Sequence, residues 1–301
     1  MTEPESVAAR YAYSRQSVWS QTANHLKAGP TRQRVGRLCL TVAAAAVALA
    51  GSQVKPASTF AATLLAVIAA TVMAAVAYTR WRATPRQARQ WTQARSVAEA
   101  LKTEVFLFLC GGGGYQSGDR AARLRTRVRG LEDDAAAIAH HTLGVMARDR
   151  DLPPVRDIES YLDVRVRKTQ LGEYYVPKAA AMKKRLQQLK AVEVILALVA
   201  AGLAATTVAS ASVAAWAAVA TTAGGAMAAY IAAERYEFNW VEYSRTAVQL
   251  QRLLGLHESG DPTALAGPDL AAACEDVISA ENQAWMAKWS EAGERHEKDI
   301  A

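Results

Sequence analysis

The 301 residues of this chain are 51% hydrophobic and 21% charged, with a formal net charge of +7. Such averages suit a soluble protein, but charge is nearly absent from two long apolar stretches and dense elsewhere, which favours membrane insertion. Three widely spaced cysteines exclude a disulfide framework.

The first apolar stretch predicts a transmembrane hairpin. A short helix over 11–27 precedes it and is expected to end at Gly29 and Pro30. The apolar residues then predict membrane helices over about 36–52 and 60–79, because about 20 helical residues cross a bilayer core. Polar residues and a proline at 52–56 separate the two helices.

A cytoplasmic helix is expected after this hairpin. Trp91, Leu101 and Val105 belong to a series of apolar or small residues with heptad spacing, which predicts a narrow seam for a partner helix or an oligomer. The four glycines over 111–114 then break the helix, and they lack the Lys and Ser/Thr of a phosphate-binding loop. We expect these glycines to form a flexible connector.

The second apolar stretch, 191–233, predicts another hairpin, with membrane helices over about 191–209 and 213–233. Trp240, Leu250 and Leu254 follow it with the spacing seen after the first hairpin, which predicts a second seam. This correspondence indicates an internal duplication, with one two-helix domain over 1–150 and another over 151–301.

Basic residues predict the orientation of the four helices. They flank both hairpins on their open ends, whereas the two connecting turns carry only Lys55 between them. The positive-inside rule therefore places both termini and the central segment in the cytoplasm. The predicted fold is an all-α, multi-pass integral membrane protein with four transmembrane helices and cytoplasmic helical or coiled-coil extensions.

The second hairpin contains lines of small and polar residues. Glu193 and Thr207 lie on such a line in the third membrane helix, and Thr221 and Gly225 lie on one in the fourth. Polar groups within a bilayer usually face protein or water, so these residues are candidates for a pore lining. Close helix packing through small side chains is the alternative, and the abundance of alanine favours packing.

No catalytic motif is present in the sequence, and we expect no enzyme activity, no cofactor and no metal site. His140 and His141 are adjacent, and on a helix they point about 100° apart, which is poor geometry for joint metal binding. The arginines of the segment 120–129 suggest contact with anionic lipid or a nucleotide, but an exposed helix face pairing with nearby acids is the simpler interpretation. Nucleic-acid binding is not expected.

The hairpin-and-helix plan resembles the SLATT family of two-transmembrane effector domains. The resemblance rests on that plan and on the segments WTQARSVAEALKTEVFLF (91–108) and YLDVRVRKTQLGEYYVPKA (161–179). It implies a bacterial inner-membrane effector that forms pores when an associated sensor or nucleotide-producing enzyme signals infection. It carries over no catalytic residues.

Two functions remain open at this point. The first is an effector that oligomerises and forms or gates a pore, with the bilayer, further copies of itself and a nucleotide second messenger or sensor protein as partners. The alternative is a membrane-anchored helical scaffold or sensor that docks cytoplasmic partners without conducting ions. A soluble bundle that folds the apolar stretches into its own core is disfavoured by their length and by the charge asymmetry.

Overall fold

The computed structural model describes residues 1–82, 85–205 and 211–280. Every regular element in this part of the chain is a helix, which confirms the predicted all-α class. In chain order the elements are α1 (Glu3–Val54), α2 (Thr59–Arg82), α3 (Pro85–Cys110), α4 (Arg120–Asp133), a 3₁₀ helix (Ala136–Thr142), α5 (Ile158–Tyr161), a π helix (Leu162–Tyr175), α6 (Val176–Ala205), α7 (Ala211–Glu234), α8 (Tyr236–Glu258) and α9 (267–280).

Four segments are long and apolar enough to span a membrane, as predicted. Two of them are Val35–Val54 and Thr59–Tyr78, and the other two fall within the helical stretches Ile158–Ala205 and Trp216–Glu258. Their side chains are largely exposed on the chain, which suits helices surrounded by lipid. The described residues therefore contain four candidate membrane-spanning helices, which indicates a membrane protein.

The predicted end of the first helix at Gly29 and Pro30 is wrong. α1 continues through both residues as far as Val54. Proline removes one backbone hydrogen bond from a helix, but its fixed φ is compatible with helical geometry. Gly29 and Pro30 therefore weaken α1 locally but do not end it.

The first hairpin closes through a short turn between Val54 and Thr59. The Ser58 hydroxyl accepts a hydrogen bond from the backbone N–H of Ala61 at 3.2 Å and so caps the start of α2. One turn before the end of α1, a Cβ added to Gly51 would lie 3.3 Å from the Cβ of Leu65. The glycine therefore lets the two helices approach closely beside the turn.

The chain divides into two compact units. Unit 1 is formed by Met1–Ala28, Thr84–Ala179 and Val241–Ala301, and unit 2 by Gly29–Ala83 and Ala180–Trp240. Unit 2 thus holds the apolar segments of both hairpins, and unit 1 collects the more polar segments from both halves of the sequence. The two chain-order domains, 1–150 and 151–301, stay a prediction.

Unit 1 has a hydrophobic core built from amphipathic helix faces. α4 shows the pattern, since its buried residues are spaced by three and four and its arginines lie on the opposite side. α9 likewise buries one face in this core. The fully or nearly fully buried residues of α3, α4 and α9 include Leu101, Val105, Phe108, Ala121, Leu124, Val128, Leu270, Ala271, Cys274 and Ile278.

The π helix (Leu162–Tyr175) is an unusual element of unit 1. Its i→i−5 backbone bonding shows at its end, where the Val176 N–H donates to the carbonyl of Leu171. Its buried residues recur every four to five positions, as this wider helix requires. The wider winding places Arg165 in the core of unit 1.

Candidate functional site

A buried ion pair joins the π helix to α9. Arg165 Nε donates to Glu275 Oε1 at 2.8 Å, and Arg165 Nη2 donates to Oε2 at 3.0 Å. The hydroxyls of Tyr161 and Thr103 donate to the same carboxylate at 3.0 and 2.7 Å. This bidentate arrangement is the strong form of an Arg–carboxylate contact. One carboxylate thus links α3, α5, the π helix and α9.

The environment of the pair fixes its charge state. Burial by itself would raise the pKa of Glu275, but the charge of Arg165 and the hydrogen bonds from Arg165, Thr103 and Tyr161 hold that pKa below its ordinary value. The guanidinium of Arg165 also lies 4.6 Å from the ring centre of Phe106. Each buried charge is therefore compensated by its neighbours, which is the arrangement of a structural centre.

Lys102 lies close to this centre on α3. Burial and the positive charge of Arg165 lower the pKa of Lys102 to about 8. Near neutral pH the lysine is therefore charged in a place that disfavours the charge. It is the residue of this cluster whose charge changes at mildly alkaline pH.

The sequence analysis did not single out Glu275. The available signal was a carboxylate set among apolar residues on one face of α9, where Leu270, Cys274 and Ile278 are buried. An acid in such a position needs a buried cation as a partner. The sequence did not indicate which of its many basic residues that partner is.

A similar but more exposed pair lies near the start of the chain. Arg15 Nε donates to Glu132 Oε1 at 2.6 Å, and the indole N–H of Trp19 donates to the same oxygen at 3.0 Å. The side chain of Arg15 is 30% exposed and that of Glu132 is 19% exposed. This pair joins α1 to α4 inside unit 1.

Each hairpin is also flanked by a lysine stacked on a tryptophan. Lys27 Nζ lies 5.4 Å from the ring centre of Trp91 in unit 1, and Lys183 Nζ lies 5.4 Å from that of Trp240 in unit 2. In both cases the lysine precedes the apolar hairpin and the tryptophan follows it. The cation–π contact therefore brings together the two ends of each hairpin.

The structure places three of the four candidate lining residues and leaves Thr207 outside the described residues. Glu193 is half-buried, whereas Thr221 and Gly225 are exposed on α7. The contact between α6 and α7 is made instead by neighbouring small residues, since a Cβ added to Gly224 would lie 3.8 Å from the Cβ of Leu196. Packing within the hairpin therefore does not account for Thr221 and Gly225.

The predicted seam residues are mostly occupied within the chain itself. Trp91, Leu101, Val105, Leu250 and Leu254 are buried in the core of unit 1, and Trp240 is half-buried in unit 2. Heptad spacing indicated an apolar face correctly, but a core face and an oligomer face have the same period. Contact of these residues with a partner chain stays a prediction.

The glycine run forms a defined turn between α3 and α4. Gly111, Gly113 and Gly114 have φ angles of +75°, +56° and +89°, which favour glycine. A Cβ added to Gly113 would lie 2.7 Å from Leu107 Cδ1. The Tyr115 hydroxyl donates to Glu104 at 2.5 Å, and Arg127 donates to the same carboxylate at 2.7 Å. The turn is therefore held in place, and a flexible connector was the wrong interpretation.

The arginine-rich segment 120–129 is α4, and its arginines differ in their contacts. Arg120 donates to the carbonyl of Phe108 at 2.5 Å and lies 3.3 Å from Glu5, while Arg127 pairs with Glu104. These pairs join the helix to its neighbours within unit 1. Arg123, Arg125 and Arg129 are exposed.

The two adjacent histidines lie side by side and do not point apart. In the 3₁₀ helix the ring centres of His140 and His141 are 4.0 Å apart. Among the described residues no group of three or more His, Cys, Asp or Glu is placed to hold a metal ion.

Comparison with known proteins adds to this picture. Residues 161–285 match the family model described as SMODS and SLOG-associating 2TM effector domain 1. Residues 17–122 match a second model, a protein of unknown function (DUF4231). No curated protein and no solved structure matches the chain. Residues 161–285 are therefore similar to the SMODS and SLOG-associating 2TM effector domain, and this match suggests a membrane effector in defence systems.

Proposed function

We propose that this protein oligomerises in the bacterial inner membrane and forms or gates a pore when an infection signal reaches it. The activating partner in this proposal is a nucleotide second messenger or a sensor protein. Both termini are cytoplasmic, because the basic residues flank the open ends of the hairpins. The four membrane helices and the effector family match support a function in the bilayer.

The observation that carries the proposal is the exposure of Thr221 and Gly225 on a membrane helix. The hydroxyl of Thr221 donates to the carbonyl of Ala217 at 2.9 Å, so its polarity is partly satisfied within α7. Its outward position leaves it free to meet another copy of the chain. Four helices in one chain leave little room for an aqueous path, so the pore requires several copies.

The arrangement of contacts around each hairpin supports the idea that 1–150 and 151–301 are related copies. In both halves an arginine that precedes the hairpin pairs with a glutamate that follows it: Arg15 with Glu132, and Arg165 with Glu275. The two Lys–Trp contacts, Lys27 with Trp91 and Lys183 with Trp240, also correspond. A duplicated unit would account for both repeats.

A liposome leakage assay tests the pore. Purified protein in dye-loaded vesicles, given its activator, should release the dye, and Thr221→Leu should reduce the release because a large apolar group would replace a polar lining group. Thr71→Leu is a matched control, since Thr71 is also exposed on a membrane helix and donates to the carbonyl of Val67 at 2.8 Å. Absence of leakage under every activating condition would contradict the proposal.

The same preparation distinguishes the scaffold alternative. Mass measurement in detergent reports the number of copies, and Gly225→Val should lower it, because a branched side chain would keep neighbouring helices apart. No atom lies within 4 Å of a Cβ added at Gly225, so the substitution leaves the single chain intact. Capture of a cytoplasmic partner by a chain that neither assembles nor conducts would favour a scaffold.

A further inference from the structure

One nitrogen of the buried Arg165 side chain has no partner. Nε and Nη2 of Arg165 donate to Glu275, but Nη1 is buried and makes no hydrogen bond within the part of the chain that the structure describes. The side chain of Arg165 is 0% exposed, so bulk water does not reach this nitrogen. A buried donor without an acceptor destabilises a fold, and in most proteins a bound water or ion supplies the missing acceptor.

Lys102 lies beside the guanidinium of Arg165. Lys102 and Phe106 are four residues apart on α3, so their side chains are neighbours on one face of that helix. The guanidinium of Arg165 lies over the ring of Phe106, at 4.6 Å from its centre. Among the charged groups around Lys102, Arg165 has the largest effect on it. Lys102 is half-buried, so a small solute can approach the two cations from the solvent.

Lys102 is the charge of this cluster that no carboxylate balances. Arg165 pairs with Glu275, and on α3 Arg95 pairs with Glu99 at 2.5 Å. Lys102 forms no ion pair or hydrogen bond with any residue that the structure describes. The pKa of Lys102 is lowered to about 8, so the amine is still mostly charged at pH 7. The cluster therefore carries one positive charge in excess, and a neutral water at Nη1 would leave that excess in place.

We propose that a small inorganic anion of the chloride class binds between Nη1 of Arg165 and the amine of Lys102. The anion accepts the hydrogen bond that Nη1 does not make within the chain, and its single negative charge balances the charge of Lys102. The site lies within unit 1, between α3 and the π helix, so it does not depend on pore formation. Because the anion binds the folded chain and not the unfolded one, it stabilises unit 1.

Thermal unfolding of the full chain in a non-ionic detergent tests this site. Sodium chloride replaces sodium gluconate at pH 7 and constant ionic strength, because gluconate is too large for a partly buried site. The unfolding midpoint should rise with chloride, by about 2–4 °C when chloride exceeds its Kd about fivefold. Lys102→Met should abolish this rise because it removes one of the two cations, and Lys102→Arg should retain it because it keeps the charge.

Lys168→Met is the matched control, since Lys168 is exposed on the π helix and its loss should leave the response to chloride unchanged. An equal response in Lys102→Met and in the original chain would assign the effect to the protein surface and overturn the proposal. Absence of a response in the original chain would mean that water alone meets Nη1, which would also overturn it. Broadening of the chloride NMR line by the original chain, reduced in Lys102→Met, would show the binding independently of stability.

Discussion

Arg165 and Glu275 are 110 positions apart in the sequence, yet both are fully buried and share two hydrogen bonds of 2.8 and 3.0 Å. The pair joins the π helix to α9, the last described helix. A buried charge without its partner destabilises the folded chain. The two residues therefore hold the π helix and α9 together.

Glu275→Gln should destabilise unit 1 by about 3 kcal/mol, because it leaves the Arg165 charge buried and uncompensated. Glu132→Gln is the matched control and should cost about 1 kcal/mol or less, since its partner Arg15 is partly exposed. Urea unfolding of the purified protein in detergent measures both. Replacing the pair together, as Arg165→Met with Glu275→Leu, should recover most of the loss. Equal losses for the two single variants would contradict this account.

The stability of unit 1 should depend on pH through Lys102. Its pKa is lowered to about 8 in the folded chain from 10.5, so between these values the unfolded chain binds the additional proton. Stability therefore increases as pH rises from about 8 to 10.5, and the full penalty is present below pH 8.

Lys102→Met removes this dependence on pH. The variant should be more stable than the original chain below pH 8, and this difference in the free energy of unfolding should shrink as the pH rises to about 10.5. Unfolding midpoints of both proteins at several pH values measure the difference. Lys168→Met, at an exposed lysine of the π helix, serves as the control. A gain for Lys102→Met that stays constant with pH would be evidence against the assignment.

Gly113→Ala should destabilise the turn between α3 and α4 by about 1–2 kcal/mol, since an L-residue is disfavoured at a φ of +56°. The close approach to Leu107 adds to that cost. Gly130→Ala, inside α4 with no atom within 4 Å of the new Cβ, should instead stabilise by about 0.5–1 kcal/mol. Thermal unfolding of the two variants compares them, and effects of the same sign would be unexpected.

Leu101→Ala should cost about 3 kcal/mol of unfolding free energy even in a single chain, because the side chain is fully buried in unit 1. Val248→Ala, at a residue 62% exposed on α8, should stay within about 0.5 kcal/mol. If Leu101→Ala left stability unchanged and altered only the number of copies, the residue would belong to an oligomer seam after all.

The local pattern of apolar and charged residues was sufficient to predict the helices and the membrane segments. The runs that contain Val35–Val54 and Thr59–Tyr78 were identified within one or two residues, because the length of an uncharged stretch is itself the physical requirement for crossing a bilayer. The break after α3 was also predicted, since the four glycines that follow Cys110 cannot sustain a helix. The prediction that the first helix ends at Gly29 and Pro30 was wrong because a long helix tolerates the local loss of a backbone hydrogen bond.

The packing partners of individual side chains were harder to predict from the sequence. Heptad spacing marked Leu101, Val105, Leu250 and Leu254 as one apolar face of each helix, but only the structure showed that this face meets other helices of the same chain. The spacing of apolar residues along a helix reflects the geometry of that helix. It is the same whether the apolar face packs against the same chain or against a partner chain.

The sequence by itself thus determined that this protein is helical, that four of its helices are long and apolar enough to cross a membrane and where those helices lie, because each of these depends on residues close together in the chain. The tertiary structure alone decided that Glu275 compensates Arg165 and that the seams are buried in unit 1. Burial and charge compensation depend on which distant helices pack together, and no local pattern of residues specifies that choice.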